Sequence, residues 1–277
     1  MLWQPKKRIE EAYQKAIHSL FKVSLSAFTG IRTIQDFVKG LEKYVASEAF
    51  EQFAESTSRK MITSLFDDVG KDWRSAARHN TSGRRIYELL TKELEQGRGQ
   101  RVEQLVSENA ELIKTLPIDV ANDVAQYIRQ ETIKGRRAED IERDIQNMFP
   151  RKTKARAKLI ARTEVSKTQT ALIQSDCEEV GAHWYFWRTT KDKRTRDAHF
   201  EMHGVICSWR EPPNPEDLFP DKNKPYGNYH PGCTFNCRCY PEPIVIVHQL
   251  TEQIYKVHRN GQIVTMTVSE VRKLLSL

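Results

Sequence analysis

WYFWRTTKDKRTRDAHFEMHG (184–204) and HPGCTFNCRC (230–239) are the two strings on which this 277-residue chain turns. Four of its five cysteines lie between Trp184 and Pro243, and four of its eight histidines lie between His183 and Pro243. In Cys237-Arg238-Cys239 the alternation of an extended segment puts both thiols on one side. Cys233 lies four residues earlier, and His230 three before that, with Pro231-Gly232 between them to bend the chain. His199 and His203 are four apart and share a face if the segment is helical. A tetrahedral zinc site takes four such groups. The spacing nominates Cys233, Cys237, Cys239 and His199, with His230 as substitute. The other reading is a set of buried structural cysteines beside a hydrogen-bonded histidine, and the spacing leaves both open.

Working outward, His183 to Arg188 reads as a buried aromatic strand and Thr195 to His203 as a short helix ended by Gly204. Val205 to Trp209 and Cys239 to Val247 read as strands. Five prolines between Glu211 and Asn228 mark a long loop, of a length that usually carries function or a partner. Ile254–Val257, Asn260-Gly261 and Ile263–Val268 form a hairpin signal, and Ser269 is placed to cap a last short helix.

The chain before this stretch reads as helix after helix. Ile9, Ala12, Tyr13, Ala16, Ile17, Leu20 and Phe21 form an apolar stripe at helical spacing over 5–21. Gly30 breaks it, and Thr33 caps a second helix. A third helix near 57–69 is expected to stop at Gly70, and a fourth carries Ile86, Leu89, Leu90 and Leu94. GRG at 97–99 is a hinge signal, and a fifth helix is expected to end before Pro117. Two more helices follow, turning at Gly135 and ending at Pro150. That pair reads as an ordinary helical hairpin rather than a DNA reader, because Glu139, Asp140, Glu142 and Asp144 would repel phosphate. The class is therefore α+β: a helical region at 1–115, a mixed domain with a small antiparallel sheet at 116–247, and a hairpin-and-helix tail at 248–277.

Hydrophobic residues make up 39% and charged residues 29%, a globular balance, and the formal net charge of +7 points toward an acidic partner such as nucleic acid. No apolar run is long enough to cross a membrane, and the first fifteen residues carry acids and no apolar core, unlike a signal peptide. The odd, late-clustered cysteines fit reduced thiols better than a secreted disulfide framework. Between Arg151 and Lys167 stand seven cations and one acid, Glu164. Lys152, Lys154, Arg156 and Lys158 are the candidate phosphate contacts; the alternative is a solvated helix face.

Enzyme motifs fail in stated ways. In HFEMH the glutamate is one position too late for a zincin. His199-Phe200-Glu201 followed by Pro231-Gly232-Cys233 and Cys237 approaches the nucleobase-deaminase signature but misplaces the proline and lengthens the cysteine spacing. No P-loop, dinucleotide fingerprint or nucleophile elbow occurs. No catalytic residue is assigned and the chain is not read as an enzyme. A zinc-dependent, deaminase-like hydrolase acting on nucleic acid is the alternative.

Taken in order, IARTEVSKTQTA (160–171), WRTTKDKRTRDAHFEMHG (187–204) and HPGCTFNCRC (230–239) resemble the phage head morphogenesis family, the Mu F-like minor capsid proteins of tailed bacteriophages. The resemblance covers roughly 110–245. It implies a virion protein in few copies, located in the phage head interior after assembly in the host cytoplasm. It further implies association with the portal protein and with the major capsid or scaffolding protein, and a part in packaging or delivering phage DNA. It also gives Arg162, Glu164, Asp192, Arg196 and His230 structural roles, with Arg162 and Glu164 anchoring the long helix to the Cys/His region. Four residues, Cys233-Thr234-Phe235-Asn236, stand between the HPG turn and CRC as a departure from the family pattern.

Overall fold

The computed structural model describes residues 2–26, 34–78, 98–219, 226–245 and 249–275. Helices α1 (Lys7–Ser26), α2 (Ile34–Val45), α3 (Glu48–Arg78), α4 (Arg98–Ile133) and α5 (Ala138–Val180) come first. They are followed by β1 (Trp184–Arg188), α6 (Asp197–Glu201), β2 (Ile206–Ser208), a 3-10 turn (Pro215–Leu218), β3 (Tyr240–Pro243), β4 (Ile254–Arg259), β5 (Gln262–Thr267) and α7 (Val268–Leu275). The protein is α+β. Two compact units divide it: one of Lys7–Thr63 with Arg101–Ala161, the other of Met1–Lys6, Ser64–Gln100 and Arg162–Leu277. The expected break at Gly30, the Thr33 cap and the helix through Ile86 and Leu94 lie outside the described residues.

In the first unit the helices bury the stripes their spacing dictates. Ile9, Tyr13 and Ile17 face inward from α1, Phe50, Ala54, Met61 and Ile62 from α3, and Leu105, Val106, Ile113, Leu116, Val120 and Val124 from α4. Three expected stops are absent. α3 begins earlier than expected and runs through Gly70, α4 through Pro117 and α5 through Pro150. A proline inside a helix costs one hydrogen bond and about 3 kcal/mol. Around Pro117 that loss is offset by Ile113, Leu116, Val120 and Ala121, all essentially fully buried. Gly135 does end α4, at a φ of 74°. Its N–H bonds the carbonyl of Thr132, and the next N–H, from Arg136, bonds that of Glu131, a glycine-closed helix end. Arg136 then joins Glu131 at 3.0 Å to Asp144 at 2.8 Å, fixing α4 against the start of α5.

The second unit is built on a five-stranded sheet of order β3-β1-β2-β4-β5. The interior strand β1 pairs antiparallel with β2 and β3. β2 and β4, however, run parallel, meeting at Ile206 and Val257. The sheet is thus mixed rather than purely antiparallel. The long connection from Trp209 to Gln253 crosses over instead of turning tightly, and only tight turns force antiparallel neighbours. The 254–267 hairpin is therefore part of this sheet. It turns through Asn260 and Gly261, both at positive φ (50° and 72°), as a two-residue turn requires. α7 is capped by Thr267, whose hydroxyl and N–H pair with Glu270, so the cap falls two residues before the expected Ser269.

Alternation along β1 serves two cores. Phe186 joins Ile206, Ile244, Leu250, Tyr255, Val257, Val271 and Leu275 on one face. Tyr185 and Trp187, fully buried, point to the other face, where the Cys/His residues stand. A strand covered on both sides reads as an unbroken apolar run, which is why HWYFWR lacks alternation.

Candidate functional site

Residues 162–180 of α5 supply the frame. Thr163, Ser166 and Thr170 recur at three- and four-residue steps, so they share one helix face, and all three are buried. Each meets the backbone of the 230–239 loop. Thr170 donates its hydroxyl to the Pro231 carbonyl at 2.7 Å, Ser166 to that of Cys237 at 3.4 Å, and Thr163 accepts the Asn236 N–H at 3.1 Å. Arg162 adds a bond to the Asn236 side chain at 2.6 Å. Gly232 lies so close that a Cβ there would meet Thr170 Oγ1 at 3.0 Å, the Cys239 carbonyl at 3.1 Å and the Ser166 carbonyl at 3.2 Å, on a backbone at φ 89°. Only glycine fits. The helix thus holds the four-residue departure Cys233–Asn236 at its last residue, Asn236, and on both flanks, at Pro231 and Cys237.

The helix-side grip is matched from the segment leading into α6. Arg196 donates to the Phe235 carbonyl at 2.8 Å and lies over the Tyr226 ring at 5.3 Å. Asp192 forms an ion pair with Arg238. These contacts bring three of the four nominated ligands together. His199, Cys237 and Cys239 offer Nδ1 and two Sγ atoms within 4.8 Å of one another, and all three residues are buried. Nδ1 stands 3.5 Å from the Cys237 sulfur and 3.4 Å from that of Cys239. The fourth nominee, Cys233, does not join. It sits on the HPG turn, its N–H bonded to the His230 carbonyl, and burial pushes its thiol up to about 12. His230 is elsewhere too, bonded to the Tyr185 hydroxyl at 3.0 Å and stacked edge-on near Trp209; burial lowers its pKa to about 4.

Two residues that the sequence reading passed over complete the centre. The Tyr229 hydroxyl lies 2.8 Å from His199 Nε2 and donates to the Glu216 carboxylate, whose oxygens are at 2.8 and 2.9 Å. Glu216 is only 3% exposed and stands 3.5 Å from His199 Nε2. Because Tyr229 gives its one proton to the carboxylate, His199 must donate from Nε2. Its Nδ1 lone pair then faces the two sulfurs. Hydrogen bonding from the Cys239 thiol holds Cys237 well below the ordinary thiol range, whereas burial and the neighbouring Cys237 push Cys239 up. A buried sulfur pair with one sulfur disposed to ionise, beside an imidazole lone pair, has the donor chemistry of a thiolate–imidazole metal site.

Residues 122–241 match the family profile described as "Phage Mu protein F like protein". That segment belongs to the Mu F-like family. An uncharacterized protein of Haemophilus influenzae is 29% identical over 260 residues, covering 90% of this chain and 51% of its own length. The chain thus spans about half the length of the curated relative it matches. No solved structure matches it.

The Mu F-like segment holds every group described above, from the hydroxyl face of α5 to the CRC loop. It does not assemble the deaminase-like constellation. Glu201 faces solvent, half exposed, with Lys256 at 3.9 Å. The buried acid at the centre is Glu216, which lies in the proline-rich loop. No periodicity points to it there; the acid pair Glu216-Asp217 just after Asn214-Pro215, a 3-10 start signal, was the available hint. The basic candidates divide. Lys154 and Lys158 are exposed, whereas Lys152 lies 3.6 Å from Asp123 and Arg156 3.5 Å from Asp119 and Asp123. Among the described residues no helix is long and apolar enough to cross a membrane.

Proposed function

We propose that this protein is a head morphogenesis component of a tailed bacteriophage, carried in the virion in few copies near the portal. It is assembled in the host cytoplasm against portal and major capsid or scaffolding proteins. It aids head assembly and the packaging or delivery of DNA, and it acts as a structural and binding protein, not as an enzyme. The observation that carries the reading is the family match over 122–241, which coincides with the segment whose three motifs interlock. A basic net charge and the exposed pair Lys154 and Lys158 favour non-specific contact with a polyanion. The test is the protein composition of purified heads. The reading expects this chain at a small, fixed ratio to the major capsid protein; heads that are complete and infectious without it overturn the reading.

A further inference from the structure

We propose that His199, Cys237 and Cys239 form a zinc site with three protein ligands and a fourth coordination position open to solvent. The inference is independent of the head-assembly reading and rests on the geometry of one unit. With Zn–S near 2.3 Å and Zn–N near 2.0–2.1 Å, the N···S edge of a tetrahedron is roughly 3.5 Å. The two observed edges are 3.5 and 3.4 Å. Each sulfur is therefore already spaced from the imidazole nitrogen as two ligands of one ion are, and all three atoms lie within 4.8 Å of one another. Two thiolates with one imidazole form a soft donor set that suits zinc over the hard oxygen-seeking cations.

The hydrogen bonds behind His199 point the same way. A ligating imidazole is held by a partner on its other nitrogen, commonly a carboxylate, which fixes its tautomer and strengthens it as a donor. Here Tyr229 and Glu216 occupy that position, so Nδ1 is the free lone pair and it is aimed at the sulfurs. Glu216 is a buried carboxylate, which needs compensating positive charge. A metal-bound imidazole supplies it. The charges then close: two thiolates and Glu216 against a divalent ion and Arg196, which lines the same pocket as the three ligands.

The fourth position is the open one. Cys233 lies outside the group, and no other described His, Cys, Asp or Glu joins it. The three ligands instead adjoin a small open pocket rimmed by Asp192, Arg194, Arg196 and Arg238. Three protein ligands with an accessible fourth position distinguish a zinc site that binds an outside ligand from a closed structural one. The arginines suit a water-displacing anion such as a phosphate oxygen.

Full-length protein purified without chelator is expected to carry one zinc per chain. Cys233→Ser should keep that zinc. Glu216→Gln should remain folded by circular dichroism and bind the metal about 10- to 100-fold more weakly in chelator competition. Cobalt-loaded protein should show a thiolate-to-metal charge-transfer band, and added inorganic phosphate should shift its visible bands by filling the fourth position. A folded chain that takes up neither ion overturns the site. Loss of metal in Cys233→Ser, unchanged affinity in Glu216→Gln, or a cobalt spectrum unmoved by phosphate overturns the open, carboxylate-backed geometry.

Discussion

From Arg151 to Lys158, α5 presents long cations; from Thr163 to Thr170 it presents short hydroxyls, and the two stretches hold their neighbours differently. Lys152 and Arg156 meet Asp119 and Asp123 at 3.5–3.6 Å with side chains more than a third exposed. Such pairs are worth about 0–1 kcal/mol and exchange readily with water or another anion. Thr163, Ser166 and Thr170 are buried and bonded to the backbone of one loop. A buried hydroxyl whose partner would be left unsatisfied is worth about 1–3 kcal/mol and does not exchange. Dense charge on a helix thus marks a surface that can change partners, and small polar residues at helical spacing mark architecture.

The sharpest way to break that contrast is a methyl group at the contact between helix and loop. Gly232→Ala should destabilise the protein by about 3 kcal/mol, combining positive-φ strain with overpacking against Thr170 and two carbonyls. Gly135→Ala and Gly181→Ala also sit at positive φ but meet nothing within 4 Å, so each should cost only about 1 kcal/mol. Denaturant melts of the three variants decide this; equal losses would mean that the loop does not press on α5.

Acid probes the same loop from the other side. Burial lowers the pKa of His230 to about 4 from 6.5, and that of His203, whose Nδ1 faces the Thr189 N–H at 3.2 Å, to about 4 as well. The unfolded chain therefore takes up protons first as pH falls. Stability should be complete above about pH 6.5, decline through the window to about pH 4, and level off below it. For His230 the loss should reach about 1–3 kcal/mol, and His230→Gln should flatten the profile measured by denaturation midpoints. A smaller effect, about 1–2 kcal/mol, is expected from Thr170→Val, which leaves the Pro231 carbonyl without its donor.

The cationic half should behave in the opposite sense. Lys154→Gln with Lys158→Gln should leave stability within about 0.5 kcal/mol. It should reduce the salt slope of DNA binding by roughly 2 units if both meet phosphate. Neutralising Lys152 and Arg156 instead should change the slope less, because Asp119 and Asp123 already face them. Equal slopes for the two pairs would show that the acids on α4 do not compete with DNA.

Legibility followed the same division. Residues that act through local periodicity were readable: the buried strand of Trp184–Arg188, the Asn260-Gly261 hairpin and the helix ends at Gly135 and Gly181. The prolines misled because tertiary burial around Pro117 outweighs a local preference. The parallel pairing of β2 with β4 depends on a crossover of more than forty residues, and no short window encodes it. At the centre, His199, Cys237 and Cys239 announced themselves by residue type, and Cys233 was a plausible fourth by spacing alone. Its exclusion needs the Gly232 turn. Glu216 and Tyr229 were hidden because a proline-rich loop has no period, so burial there leaves no pattern. Likewise nothing in the opening residues foretold that Trp3 packs edge-on against Trp73 at 5.0 Å while Gln169 donates to its carbonyl at 2.8 Å.

The central claim is that this protein works through the lock between α5, α6 and the CRC loop, and not through an acid or base at Glu201. Complementation of a phage lacking it tests this most directly, with titre and head composition read together. Cys237→Ser with Cys239→Ser should give heads that lack the protein or package poorly, while Glu201→Gln should match wild type, since that side chain faces solvent. Normal heads from the cysteine variant, together with loss of infectivity from Glu201→Gln, would contradict the account.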